Sequence, residues 1–157
     1  MTLFLGRQVC TVNKTRVIIP SQFKDILPEE SPDPAKESIK RVVVTIGPNR
    51  EILVYPVKAW EEIYWDYVES DNEDLEEILD LVYTQTIEGP GRIRLSDELQ
   101  ELTGIKDKVE AVIRGEGSHM SIWHPAVYDD FKKKFKPAEE RKSKSNDYRV
   151  KKREKNV

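Results

Sequence analysis

A chain of 157 residues with 38% hydrophobic and 35% charged content can bury one core of ordinary domain size, and none of its apolar runs approaches the roughly 20 residues of a membrane-spanning helix. It does not open with a basic stretch and a long apolar run, so no signal peptide is expected and the cytoplasm is the default compartment. The single cysteine, Cys10, excludes an internal disulfide and leaves no ligand set for a structural zinc, and the formal charge of −3 conceals a net of +8 over residues 132–157 against −11 over the rest.

In chain order, residues 5–27 read as a strand, a turn at Asn13-Lys14-Thr15, a second strand Arg16-Val17-Ile18-Ile19, and a short helix opened by Pro20-Ser21 that carries Phe23, Ile26 and Leu27. Pro28 ends the helix. The stretch from Pro28 to Ser38 sets three prolines among charges and reads as an exposed loop. The β-branched run Arg41–Ile46, the turn Gly47-Pro48-Asn49 and the run Glu51–Tyr55 predict a hairpin. From Val57 to Tyr83, Trp60, Ile63, Tyr64 and Tyr67, then Leu75, Ile78, Leu79 and Val82, recur at spacings of three and four, the period of two amphipathic helices that break near Ser70-Asp71-Asn72. Ten acidic residues and no lysine or arginine fall between Glu61 and Asp80, and the apolar stripe among them reads as core.

The pattern then repeats. Residues 16–26 lie over 92–102 at an offset of 76, and 52–63 lie over 120–131 at an offset of 68, with the difference in the Pro-rich loop. Each copy reads as strand, turn, strand, short helix, strand, turn, strand, helix. A unit so small cannot bury its own apolar face, so the two copies are expected to share one β-core about a pseudo-twofold axis. The expected divisions are 4–60 for the first module, 61–83 for an acidic helical segment, 84–131 for the second module and 132–157 for a basic extension, partly disordered.

Gly89-Pro90-Gly91-Arg92-Ile93-Arg94-Leu95 preceded by Glu88, the segment Ile52–Trp60 with its Tyr55-Pro56 and Trp60, Phe4-Leu5-Gly6, and Arg16–Pro20 together resemble the MraZ family of transcriptional regulators, with tandem SpoVT/AbrB-like domains. The likeness runs from about residue 4 to about residue 131. It implies an α+β fold with a mainly β core, a duplicated AbrB-like swapped-hairpin (double-split) β-barrel with a peripheral pair of acidic helices. It also implies a sequence-specific, nucleoid-associated regulator that represses the division and cell-wall gene cluster by binding short direct repeats in promoter DNA as a homo-oligomeric ring. The first loop departs from the pattern: it lacks the acidic residue and the glycine, and measured from Gly6 it is one residue short, with Asn13 in the acid's place.

An arginine at the start of a hairpin strand can reach a phosphate or read a guanine edge with its planar fork. The DNA-contacting candidates are Lys14, Arg16 and Arg7 from the first copy and Arg92 and Arg94 from the second, with Asn13, Glu88, Gly89 and Gly91 supporting the loops. Glu88 is a candidate to orient Arg92 through a charge-assisted bond, although the pair can equally staple a turn, and Arg94 can equally keep a strand soluble. The basic extension reads as a nonspecific attractor of DNA or as a solvated tail. His119 and His124 flank Ile122-Trp123 and point to opposite sides of an extended strand, so a shared metal is not expected. With no nucleophile elbow, phosphate loop or carboxylate pair in the sequence, neither an enzyme nor a cofactor is expected. The competing reading is an AbrB-like module that chiefly binds a protein, as antidote or assembly adaptor, with weak DNA contact.

Overall fold

A computed structural model describes residues 3–30, 38–70 and 74–134. The expected centre of the Pro-rich loop, the Asp71-Asn72 break and the extension from residue 135 lie outside them. The elements are β1 (Arg7–Thr11), β2 (Arg16–Ile18), α1 (Ser21–Ile26), β3 (Arg41–Ile46), β4 (Ile52–Pro56), α2 (Val57–Glu69), α3 (Asp74–Leu79), β5 (Tyr83–Thr86), β6 (Arg92–Arg94), α4 (Asp97–Thr103), β7 (Glu110–Gly115), β8 (Met120–Trp123) and α5 (Pro125–Lys133). The fold is α+β and mainly antiparallel β.

Six strands form one sheet in the order β1-β7-β8-β4-β3-β5, and β2 pairs with β6 in a separate two-stranded ribbon. Exchanging β1–β4 for β5–β8 turns this order into itself. The ribbon centres on Val17 opposite Ile93, with Arg16 opposite Arg94 and Ile18 opposite Arg92. The β4–β8 pair centres likewise on Leu53 opposite Ser121. The six-stranded sheet is open, with β1 and β5 at its edges, and the ribbon packs beside both edges, β2 next to β1 and β6 next to β5.

Alternation along the strands divides the molecule into layers. Val42, Val44, Ile52, Val54, Ala111, Ile113, Met120 and Ile122 face the ribbon's Val17, Ile19, Ile93 and Leu95, with Phe23 of α1 and Leu99 of α4, in the main core. Helices α2, α3 and α5 lie on the other face, where Trp123 and Val112 pack with Tyr128 and where Leu53 and Tyr55 meet α2. Local chemistry sets the helix ends. The Ser96 hydroxyl accepts from the Leu99 amide at 3.2 Å, Gly104 closes α4 at φ 72°, and the His124 ring nitrogen accepts from the Ala126 amide at 3.1 Å. His119 instead stacks on Tyr55 with ring centres 4.4 Å apart.

The helical stripe differs from the expectation of core. No residue of α2 is fully buried, and Trp60, Ile63, Tyr64 and Tyr67 are half-buried. Trp60, Ile63 and Tyr67 instead line a groove between α2, α3 and the sheet.

Candidate nucleic-acid interface

The ribbon β2–β6 and its two loops bring four of the five candidate cations together. With Val17 and Ile93 fully buried beneath it, alternation forces Arg16, Ile18, Arg92 and Arg94 onto the outward face. A cleft of about 650 Å³ opens there, lined by Lys14, Arg16, Arg92 and Arg94 and by no carboxylate among the described residues. Like charges directly opposite on paired strands are destabilising, and Arg16 stands opposite Arg94. The Arg92 Nε is buried without a hydrogen-bond partner. An anion laid on this face would relieve the like-charge pair.

The loops reach this face by different turns. Asn13 and Arg16 exchange backbone hydrogen bonds at 3.0 Å, leaving a two-residue tip in which Lys14 takes φ 58° and its amide donates to Asp107 Oδ1 at 2.7 Å. In the second loop Glu88 and Arg92 make the equivalent exchange at 2.9 and 2.8 Å around a three-residue tip, with Gly89 at φ 52° and Gly91 at φ 126°. Asn13 therefore occupies the place of Glu88, and the first loop is one residue shorter. Gly91 has a second constraint: a Cβ there would lie 3.0 Å from the Ile19 carbonyl oxygen, which accepts no such atom without shifting the strand junction. Glu88 and Arg92 meet through their backbones; among the described residues the ion pairs are Arg41–Glu30 and Arg114–Glu116, so no carboxylate orients the Arg92 side chain.

Arg7 is not part of this group. The register of β1 sets it opposite Arg114, and its Nη1 donates to the Tyr128 hydroxyl at 3.3 Å. Arg114 there holds Glu116 at 2.7 Å and lies over Trp123, Tyr128 and Phe131. Burial, the largest influence on Tyr128, works upward, yet its pKa ends below the usual phenol value because both guanidiniums bond and attract its ionised form.

Three supporting residues carried no sequence signal. Gln85 of β5 binds the Arg94 backbone from both sides, accepting from its amide at 3.0 Å and donating to its carbonyl. Lys24 Nζ donates to the Gly89 carbonyl at 3.1 Å. Asp107 fixes the Lys14 turn. They act across 9, 65 and 93 residues respectively, and no local pattern encodes the contacts.

No family model matches the chain. Among curated proteins it is similar to those named transcriptional regulator MraZ. That of Methylobacillus flagellatus is 28% identical over 116 residues, covering 70% of this chain and 72% of that protein. That of Azoarcus sp. is 28% identical over 119 residues, 72% and 74% of the two chains, and that of Roseiflexus castenholzii is 28% identical over 130 residues, 78% and 82%.

Proposed function

We infer that this chain, which is related to the MraZ family of transcriptional regulators, is itself a DNA-binding transcription regulator that meets DNA with the outward face of its β2–β6 ribbon. The observation that carries the reading is the cleft bordered by Lys14, Arg16, Arg92 and Arg94, with unrelieved like charge across the strand pair and no acid among its described lining. Phosphate contacts supply affinity through counterion release, and a two-stranded ribbon is narrow enough to enter a major groove, where an arginine fork can take a guanine edge. Arg7 is a fifth contact in this scheme only if it leaves Tyr128. The acidic helices favour the arrangement, since α2 and α3 sit across the six-stranded sheet from the ribbon.

The motif resemblance of Glu88–Leu95 and Ile52–Trp60 extends this further. Two modules, 4–60 and 84–131, exchange hairpins across a swapped-hairpin barrel that the ribbon completes, with the acidic segment 61–83 at the periphery. The exchange symmetry of the strand order supports this. The protein acts as a ring of copies on short direct repeats in promoter DNA, represses the division and cell-wall cluster, and works in the cytoplasm at the nucleoid. Edge strand β1, with Val9 59% exposed and Leu5 63% exposed just before it, supports self-association, and no helix among the described residues is long and apolar enough to cross a membrane.

The test is fluorescence anisotropy on duplexes carrying direct repeats from the promoter of the cluster. Arg16→Ala and Arg92→Ala should each weaken binding and lower the salt slope by about one. Unchanged affinity in both variants would transfer the reading to the competing one, a module that binds protein.

A further inference from the structure

Across the sheet from the ribbon, a groove of about 530 Å³ runs between the β3–β4 hairpin and helices α2 and α3. Its floor is Leu53 and Tyr55, and Trp60 and Tyr67 line it from α2. Thr45, 2% exposed, also lines the groove, and its Oγ1 has no hydrogen-bond partner. A buried hydroxyl without a partner is uncommon, since leaving it so forfeits the hydrogen bond it had in water. The rim is acidic, with Glu77 in the groove wall and Asp66 in the adjoining depression that shares Ile63 and Tyr67 with it. An occupant that fits carries apolar and cationic side chains together.

The chain carries such a segment. Residues 135–157 hold nine lysines and arginines against four acids, together with Phe135, Tyr148 and Val150. They follow Lys134, which borders a depression with Pro48, and Pro48 also lines the groove. The point of departure is thus in a depression that adjoins the groove at Pro48, so docking needs only a short span of chain and proceeds at high effective concentration. We propose that the basic C-terminal extension docks in the groove between the β3–β4 hairpin and the acidic helices of its own chain. There its cations meet Asp66 and Glu77. The docked extension withholds its positive charge from other anions. This proposal stands independently of the ribbon's function.

The test uses the full chain with Cys10→Ala and Trp65→Phe, so that Trp60 and the buried Trp123 are the only tryptophans, and a nitroxide on Ser143→Cys as quencher. At 0.05 M salt the oxidised label should quench a large fraction of the emission relative to the reduced label, independently of protein concentration. Raising salt to 0.5 M, or introducing Asp66→Lys with Glu77→Lys at these two exposed positions, should lower the docking equilibrium at least about tenfold. Equal emission from oxidised and reduced label would overturn the proposal, as would quenching unmoved by charge reversal. Quenching that vanishes on dilution would overturn it too, because it would assign the groove to a second copy.

Discussion

Replacing Arg94 by glutamine should make the free protein more stable and the DNA complex weaker. Arg94 stands directly opposite Arg16 on the ribbon, with Arg92 and Lys14 in the same cleft. Like charges at directly opposed positions cost about 0.2–1 kcal/mol, and the exposure of Arg94 places the effect toward the lower end. The substitution spares the scaffold, because Gln85 holds the backbone of residue 94 and not its side chain. Urea unfolding at 0.05 M salt should therefore show a gain of a few tenths of a kcal/mol that disappears near 1 M salt, where the screening length falls to about 3 Å. For DNA, one lost phosphate contact removes about 0.9 from the slope of log affinity against log salt, or about eightfold in affinity at 0.1 M salt. A variant that is less stable at low salt, or that binds DNA with an unaltered slope, would refute the reasoning, since the cation would then be either stapled in the native state or remote from phosphate.

Gly91→Ala should destabilise the fold by about 1–3 kcal/mol, read from the urea midpoint, because φ 126° is a glycine conformation and the added methyl would press on the Ile19 carbonyl. Ile93→Ala, at 1% exposure beneath the cationic face, should cost about 2–5 kcal/mol in the same assay and weaken DNA binding only through lost folding. Burial against Tyr55 pushes His119 below the usual imidazole pKa of 6.5, against the smaller opposing pull of Glu116 and Glu51. The folded state thus favours the neutral ring, so its stabilising contribution is complete above pH 6.5 and is lost as pH falls below it. His119→Phe, which keeps the stacking, should flatten the decline in stability between pH 7 and pH 5, and an equally steep decline would assign the acid sensitivity elsewhere.

The order of elements was legible because each signal is local. Prolines and glycines mark the turns, alternation marks Arg16–Ile19 and Arg92–Leu95, and spacings of three and four mark α2. The repeat showed two copies each too small to bury its own apolar face, and residues of both halves meet in one core. Placement of Lys14, Arg16, Arg92 and Arg94 on one face follows from Val17 and Ile93 being the buried members of an alternating pair. What was not legible depends on register between distant strands. Arg7 meets Tyr128 because β1 lies against β7, and Gln85, Lys24 and Asp107 support the loops over separations of 9, 65 and 93 residues. The stripe on α2 was read as core because periodicity reports an apolar face without reporting how much of it is covered.

Which face meets DNA is measured directly by proximity cleavage. An iron chelate is attached to Thr15→Cys at the tip of the first loop or to Trp65→Cys on α2, both in a Cys10→Ala background, and the protein is mixed with end-labelled duplex bearing the direct repeats. Strand scission within the repeats is expected from position 15 and none from position 65. Cleavage from position 65 with none from position 15 would contradict it.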